Sequence, residues 1–290
     1  MEYEIIKKNN SCNIINAMTV DVEDYFQVSA FESVVDRKDW DGMQHRVYDN
    51  TSRILDIFAE NNTKATFFML GWVAERHPEL VHRIIQDGHE LASHGYEHIR
   101  VTRQTRDEFR QDISKTKKIL EDISGVEIKG YRAASYSITN DNLWAMDELA
   151  DTGHKYSSSI YPIKHDLYGI PDAPRFAFRH KGSGLLEIPI TTLLFANKKF
   201  PAGGGGFFRF FPYFYSHWVI KRANEKEKQS ALFYFHPWEI DVTQPRFSNA
   251  PLKSRFRHYF NLDKMETRLN RLLKSFTWGR MDHVFLDEQN

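Results

Sequence analysis

Short apolar runs alternate along most of the chain with stretches in which apolar residues recur every three or four positions, the order expected of an α/β fold with a largely parallel sheet. The runs predict strands over residues 17–22, 65–69, 90–93, 129–132, 155–158, 185–190 and 231–235. Between residues 105 and 124 the positions Phe109, Ile113, Ile119, Leu120 and Ile123 fall at helical spacing, and Thr105-x-x-Glu108 forms a capping box. Pro78 opens another helix, which Gly88 closes in a left-handed conformation, and Asp263-x-x-Glu266 opens a third through Leu269, Leu272 and Leu273. Residues 244–261 are polar, basic and without periodicity, and read as the start of a C-terminal extension. No repeat interrupts this order, so the expectation is one domain over 1–290, with a core at about 17–241 and an extension at about 242–290.

Charge narrows the function. With 39 Lys plus Arg against 39 Asp plus Glu, the chain has no global basic field, and nucleic acid is a poor default partner. A lone cysteine, Cys12, excludes an internal disulfide framework and a thiolate-built zinc site, so a metal site has to use histidines and carboxylates. The opening residues lack a basic segment followed by an apolar run, and the aromatic run 210–220 is too short to cross a bilayer. The expectation is a cytoplasmic protein with no membrane span.

Four features carry chemistry. His94-x-x-x-His98 is the only pair at this spacing among 13 histidines; chance alone supplies roughly half of one such pair, so the spacing fits either ligands or packed histidines. Asp21, Glu23 and Asp24 crowd the end of an apolar strand, either as a solvated acidic turn or as carboxylates compensated by a cation. Strand alternation puts Asp21 and Glu23 on one face, where one could bind a metal while the other moves a proton. Arg132 ends a strand, fit to clamp a carboxylate or to make a surface ion pair. His236, followed by Pro237, Trp238 and Glu239, is delivered by a strand; beside an aromatic ring and a carboxylate it could titrate as a general acid or simply pack. All four fall at the C-terminal ends of predicted strands, where parallel barrels gather catalytic groups.

With these residues in view, the chain resembles the polysaccharide deacetylases of carbohydrate esterase family 4, the NodB homology domain, over residues 17–241. Within that family it is similar to the peptidoglycan-deacetylase and allantoinase-like branch, and to a subgroup encoded beside exosortase and exopolysaccharide genes. The resemblance implies a distorted, incomplete (β/α) barrel that removes acetyl groups from N-acetylated sugars with a divalent metal ion, zinc foremost. It implies that Asp21 is the general base, Arg132 its positioner, His236 the general acid, and His94 and His98 metal ligands. A backbone N–H at Ser135 would serve the oxyanion, with Tyr136, Arg209, Trp238 and Glu239 as further oxyanion or substrate contacts.

Three positions depart from the family pattern. Val22 replaces the second aspartate, so the third ligand is Glu23 or Asp24, with Glu23 favoured by alternation. Ala134 stands where proline is usual, and Ser157 where an aspartate supports the acid histidine, which leaves that support to Glu239 or Asp241. The glycines at 203–206 could let the backbone swing over substrate while Arg209 and Phe208 touch it, or anchor an aromatic cluster. The substrate expected is an N-acetylated glycan or its lipid- or nucleotide-linked precursor, reached in the cytoplasm or at the inner membrane surface by peripheral association. A cyclic-amide hydrolase and an inactive glycan-binding relative are the alternatives.

Overall fold

In a computed structural model, which describes residues 2–6, 14–164 and 169–286 and so leaves Cys12 outside, the side chains of Asn16–Val22 alternate between two buried layers. Met18, Val20 and Val22 join Phe67, Leu91, Phe233 and Phe235 in one apolar layer, and Ala17 joins Phe68, Ala92, Tyr156 and Leu186 in another. Burial on both faces is what a parallel strand flanked by helices requires. Thr19 and Asp21 share the second face, which is the inside of the curled sheet.

The strands are β1 (Tyr3–Ile5), β2 (Asn16–Val22), β3 (Thr66–Met69), β4 (Glu90–Ser93), β5 (Gly130–Tyr131), β6 (Tyr156–Ser157), β7 (Phe178–His180), β8 (Leu186–Glu187), β9 (Thr192–Phe195), β10 (Lys198–Pro201), β11 (Leu232–Phe235) and β12 (Trp278–Gly279). Neighbours pair in parallel in the order β11-β2-β3-β4-β5-β6-β8, and each of these strands lies on one of the runs expected from the sequence. β12 adds a parallel pairing at the start of β2, β7 and β1 extend the sheet antiparallel, and β9 and β10 form a separate hairpin. The result is a distorted (β/α) barrel that does not close.

Its gap lies between the chain after β8 and β11. Thr191 Oγ1 accepts from Leu232 N at 2.7 Å, its carbonyl accepts from Gly203 N at 3.0 Å, and Gly203 O accepts from Tyr234 N at 2.8 Å. A Cβ on Gly203 would sit 2.4 Å from Leu232 O, and one on Gly204 2.7 Å from the Tyr234 ring. Of the two readings of the glycines at 203–206, the structure shows close packing at Gly203, Gly204 and Gly205, and Gly205 and Gly206 open the helix Gly205–Phe210.

Helix signals hold where the capping residues are local. Thr105 and Glu108 make both bonds of the capping box ahead of Arg106–Ser124, and Pro78 opens Pro78–Gln86 with Gly88 at φ 80° just beyond its end. The last long helix starts at Met265 rather than Asp263, after a 3₁₀ turn at Leu262–Lys264 and without a side-chain cap. The stretch expected to be irregular contains the helix Leu252–Tyr259. Its pattern is inverted, with Leu252 78% and Phe256 54% exposed and His258 only 3%, so apolar periodicity could not reveal its buried face.

Candidate active site

The C-terminal ends of β2, β4, β5 and β11 bring Asp21, Glu23, His94, His98, Arg132 and His236 together at one end of the barrel, around a cavity of about 600 Å³. Arg132 lies beneath the cavity, fully buried. One Nη1 donates to both Asp21 Oδ1 and Thr19 Oγ1, while Nη2 and Nε reach Ser158 Oγ at 3.1 Å and Ser158 O at 3.3 Å. Its guanidinium carbon stands 4.0 Å from the centre of the Phe68 ring, a face that suits a delocalised cation. Asp21 is thereby fixed in one orientation. Thr19 and Ser158 were not foreseen, although Thr19 shares Asp21's face two residues earlier.

His94 and His98 follow β4, and Glu23 follows β2. His94 Nδ1 donates to the Arg132 carbonyl at 2.8 Å, which leaves Nε2 as the lone-pair nitrogen. His98 adopts φ 52°, a left-handed conformation uncommon for a residue with a Cβ, and its Nε2 lies 3.1 Å from Glu23 Oε2. Burial lowers the pKa of both histidines, and in His98 the charge of His94 adds to it. Burial also pushes the Glu23 carboxyl up to about 7, against the pull of His236. One ligand atom from each of Glu23, His94 and His98 can be chosen so that all lie within 4.8 Å of one another, and Glu23 Oε2 is buried with no hydrogen-bond partner. Two neutral imidazoles and one carboxylate oxygen that lacks a donor make a fitting cradle for a divalent cation. Asp24 turns away from it. Its carboxylate accepts from the N–H groups of Tyr25 (2.8 Å), Arg46 (2.6 Å) and Val47 (2.9 Å), and thus caps the helix Val47–Glu60.

His236 closes the other side. Its Nε2 lies 3.4 Å from Glu23 Oε1, and its Nδ1 meets Glu239 Oε1 at 2.8 Å. Burial opposes its positive charge, but Glu23 and Glu239 outweigh that and hold its pKa up at about 9. Glu239 is fully buried; burial favours its neutral form, yet Arg209 and His236 keep it down to about 2. Trp238 stacks on the imidazole of His236 at 5.1 Å and on that of His258 at 4.0 Å, and its indole N–H points to Glu23 Oε1 at 3.4 Å. Gln244 ties the stack together, donating to the carbonyls of Trp238 and Asp241 and meeting His258 Nε2 at 2.7 Å. Neither His258 nor Gln244 carried a sequence signal of this role.

Two expected substrate contacts lie elsewhere. Arg209 is 2% exposed and outside the cavity lining; it donates to Glu239 Oε2 at 2.6 Å and to the carbonyls of Arg257, His258 and Phe260 at the end of the helix Leu252–Tyr259. Glu239 sits behind His236, not beside substrate, and Phe208 is fully buried. A guanidinium beside that carboxylate is more useful there than on the surface, because it neutralises a buried charge. Ser157, where the resemblance implies an aspartate, bonds Ser159 Oγ at 2.8 Å, while Asp241 binds Arg46 and Asn50. Ser135, Tyr136 and Trp238 do line the cavity, Ser135 and Tyr136 both in left-handed conformation at φ 52° and 53°.

Comparisons with known proteins bear on the fold and on part of the chain. Residues 40–156 match the polysaccharide deacetylase family model, and residues 158–286 match a domain of unknown function (DUF3473). A peptidoglycan-N-acetylglucosamine deacetylase of Bacillus cereus is 38% identical over 99 residues, which is 34% of this chain and 36% of that protein's length. The match therefore spans about a third of that curated relative. A Mycobacterium smegmatis crystal structure assigned as a polysaccharide deacetylase superposes with TM-score 0.64 at 18% identity, covering 99% of this chain and 95% of that one. The structure of Puue allantoinase gives 0.58 at 14% identity, over 93% of this chain and 88% of that one. These likenesses establish the fold, and over residues 40–156 the chain is similar to the polysaccharide deacetylase family.

Proposed function

We propose that the protein hydrolyses the acetamide of an N-acetylated sugar, in a glycan or in its lipid- or nucleotide-linked precursor, with a divalent metal ion, zinc by its donor set. The observation that carries this reading is the placement of an Arg132-oriented carboxylate and a Glu239-oriented histidine on one cavity with the cluster of Glu23, His94 and His98. The exopolysaccharide context, the cytoplasmic location and the single domain spanning both matched segments belong to the same proposal and rest on the resemblance.

When bound, the ion supplies Lewis-acid polarisation and an acidified water. The chain's own residues do the rest. Asp21, with one oxygen held by Arg132, keeps the other to accept a proton from the attacking water. The Ser135 N–H, on the cavity wall, offers a donor to the developing oxyanion. His236 holds its Nδ1 against Glu239, so Nε2 is the atom that delivers a proton to the leaving nitrogen. Trp238 covers one face of that imidazole and keeps water from it.

The test is metal content by mass spectrometry on protein purified without chelator, paired with acetate release from N-acetylated chito-oligosaccharides by wild type and His94→Ala. About one zinc-like ion per chain, with metal and acetate release both lost in the variant, is the expected result. No stoichiometric metal after zinc or cobalt is supplied would overturn the reading.

A further inference from the structure

On its outer side the same cavity is bounded by Arg100, Arg103 and Arg257. One carboxylate answers the first two: Glu32 lies 2.7 Å from Arg100 Nη2 and 3.4 Å from Arg103 Nη2, and Arg37 Nη2 stands 3.7 Å from its other oxygen. Arg37 lies outside the cavity lining, so one carboxylate answers two lining cations and leaves a surplus of one. Arg257 adds a second, since it is exposed and among the described residues has no carboxylate partner. The surplus is local, because the chain as a whole balances 39 cations with 39 anions.

The inner carboxylates do not cancel it. Asp21 is matched by Arg132 and Glu239 by Arg209, and Glu23 is one of the groups that would hold the cation. Arg103, with its side chain 57% exposed, and the exposed Arg257 keep N–H groups free for a ligand, while the buried Arg100 Nε lacks an acceptor altogether. A cleft lined by one sign of charge concentrates ligands of the other sign, and the planar guanidinium fork matches the paired oxygens of carboxylate and phosphate.

We propose that this outer wall is an anion subsite, and that the substrate carries a carboxylate or phosphate group within the span of the cavity from the acetamide that reacts. The inference rests on the deacetylase reading of the inner site and names the substrate class for it: an acidic N-acetylated glycan. The anion has two chemical sources, a uronic acid in the chain or a phosphate ester of a precursor.

Acetate release by the metal-loaded wild-type protein is compared on three probes: an N-acetylated chito-oligosaccharide, an oligosaccharide alternating N-acetylglucosamine with glucuronic acid, and a chito-oligosaccharide 1-diphosphate. The expected result is a preference of about 10-fold or more in kcat/KM for one acidic probe over the neutral one, carried by KM, and weakened by added salt. Which acidic probe wins names the source of the anion. In the double variant Arg103→Gln/Arg257→Gln the ratio of acidic to neutral kcat/KM falls toward one. Calorimetric binding of the preferred acidic probe reads the subsite apart from turnover and is expected to weaken in the same variant. Equal kcat/KM for acidic and neutral probes, or a preference that survives both substitutions, overturns the subsite and leaves the deacetylase reading standing. Acetate release from none of the three overturns that reading and the inference with it.

Discussion

Asp21 and His236 stand on two flanks of one cavity, but they are held there by different means. On the Asp21 flank, Asp21, His94 and Arg132 issue from β2, β4 and β5 of one parallel sheet, and the register carried through β3 brings them near one another. On the His236 flank, the imidazole depends on Glu239, Glu239 on Arg209, and Arg209 on carbonyls at the end of a helix that begins sixteen residues after His236. Trp238 is likewise pinned by His258. The first flank is built by strand register and one buried arginine bonded within the sheet, the second by side chains reaching across a tertiary interface to a later helix, and the second is therefore the one that distant substitutions disturb.

Substituting the reacting groups themselves tests the proposal that both flanks are needed. Asp21→Asn and His236→Ala should each lower kcat by about 10²–10⁴-fold, with metal content unchanged; full activity in either would leave that flank without a catalytic part. Next in size is a test of the long chain of contacts. A Cβ at Gly205 would fall 2.2 Å from Glu239 Oε1, whereas one at Gly206 meets nothing within 4 Å. Gly205→Ala should therefore behave like Glu239→Gln and cost about 10–100-fold in kcat, while Gly206→Ala leaves turnover as it is and adds about 0.4–1 kcal/mol of stability in urea titrations. Equal kinetics for the two alanine variants would show that Glu239 does not orient His236.

A smaller loss, about 10-fold in kcat with metal retained, is expected for His258→Ala, which removes one side of the Trp238 stack. The smallest effect lies on the register-built flank and reads stability. Burial lowers His89 to about 3, and its Nδ1 accepts from Ala65 N at 3.1 Å, so it folds as a neutral ring. Between pH 3 and the ordinary histidine range near 6.5, the unfolded chain takes a proton that the folded chain refuses, so this contribution is present above about 6.5 and is lost as pH falls. Glu90 and Glu187, raised by burial to about 7, act in the opposite direction but are common to both proteins. Urea titrations at pH 7 and pH 5 should show wild type losing more stability than His89→Gln; parallel losses would mean that His89 does not carry the slope.

The same contrast explains what the sequence could reveal. The runs that became β11, β2, β3, β4, β5, β6 and β8 were legible because each buries both faces within its own few residues. Asp21, Glu23, His94, His98, Arg132 and His236 were legible because strand ends place them. The rest has no local signature. β1 has its strand partner only in β7, Tyr3 opposite His180, and β7 takes its own place from β8. Four glycines look alike whether they permit motion or close approach, and only the nearness of Leu232 O and Glu239 decides it. Arg209 and His258 are an ordinary arginine and an ordinary histidine until Glu239 and Trp238 arrive from elsewhere in the chain.

The reach of Arg209 to the carbonyls of Arg257, His258 and Phe260 also sets a timetable. During synthesis the chain has already laid down Asp21, Glu23, His94, His98 and Arg132 with their strands by the time Ser159 is added, and a domain that folds as it emerges can assemble that flank early. By residue 241 every reacting side chain has been made, yet the ring that backs Trp238 and the carbonyls that anchor Arg209 are still missing. The proposed hydrolytic site is thus completed last, with the helix Leu252–Tyr259 acting as the final fastening of residues laid down long before it.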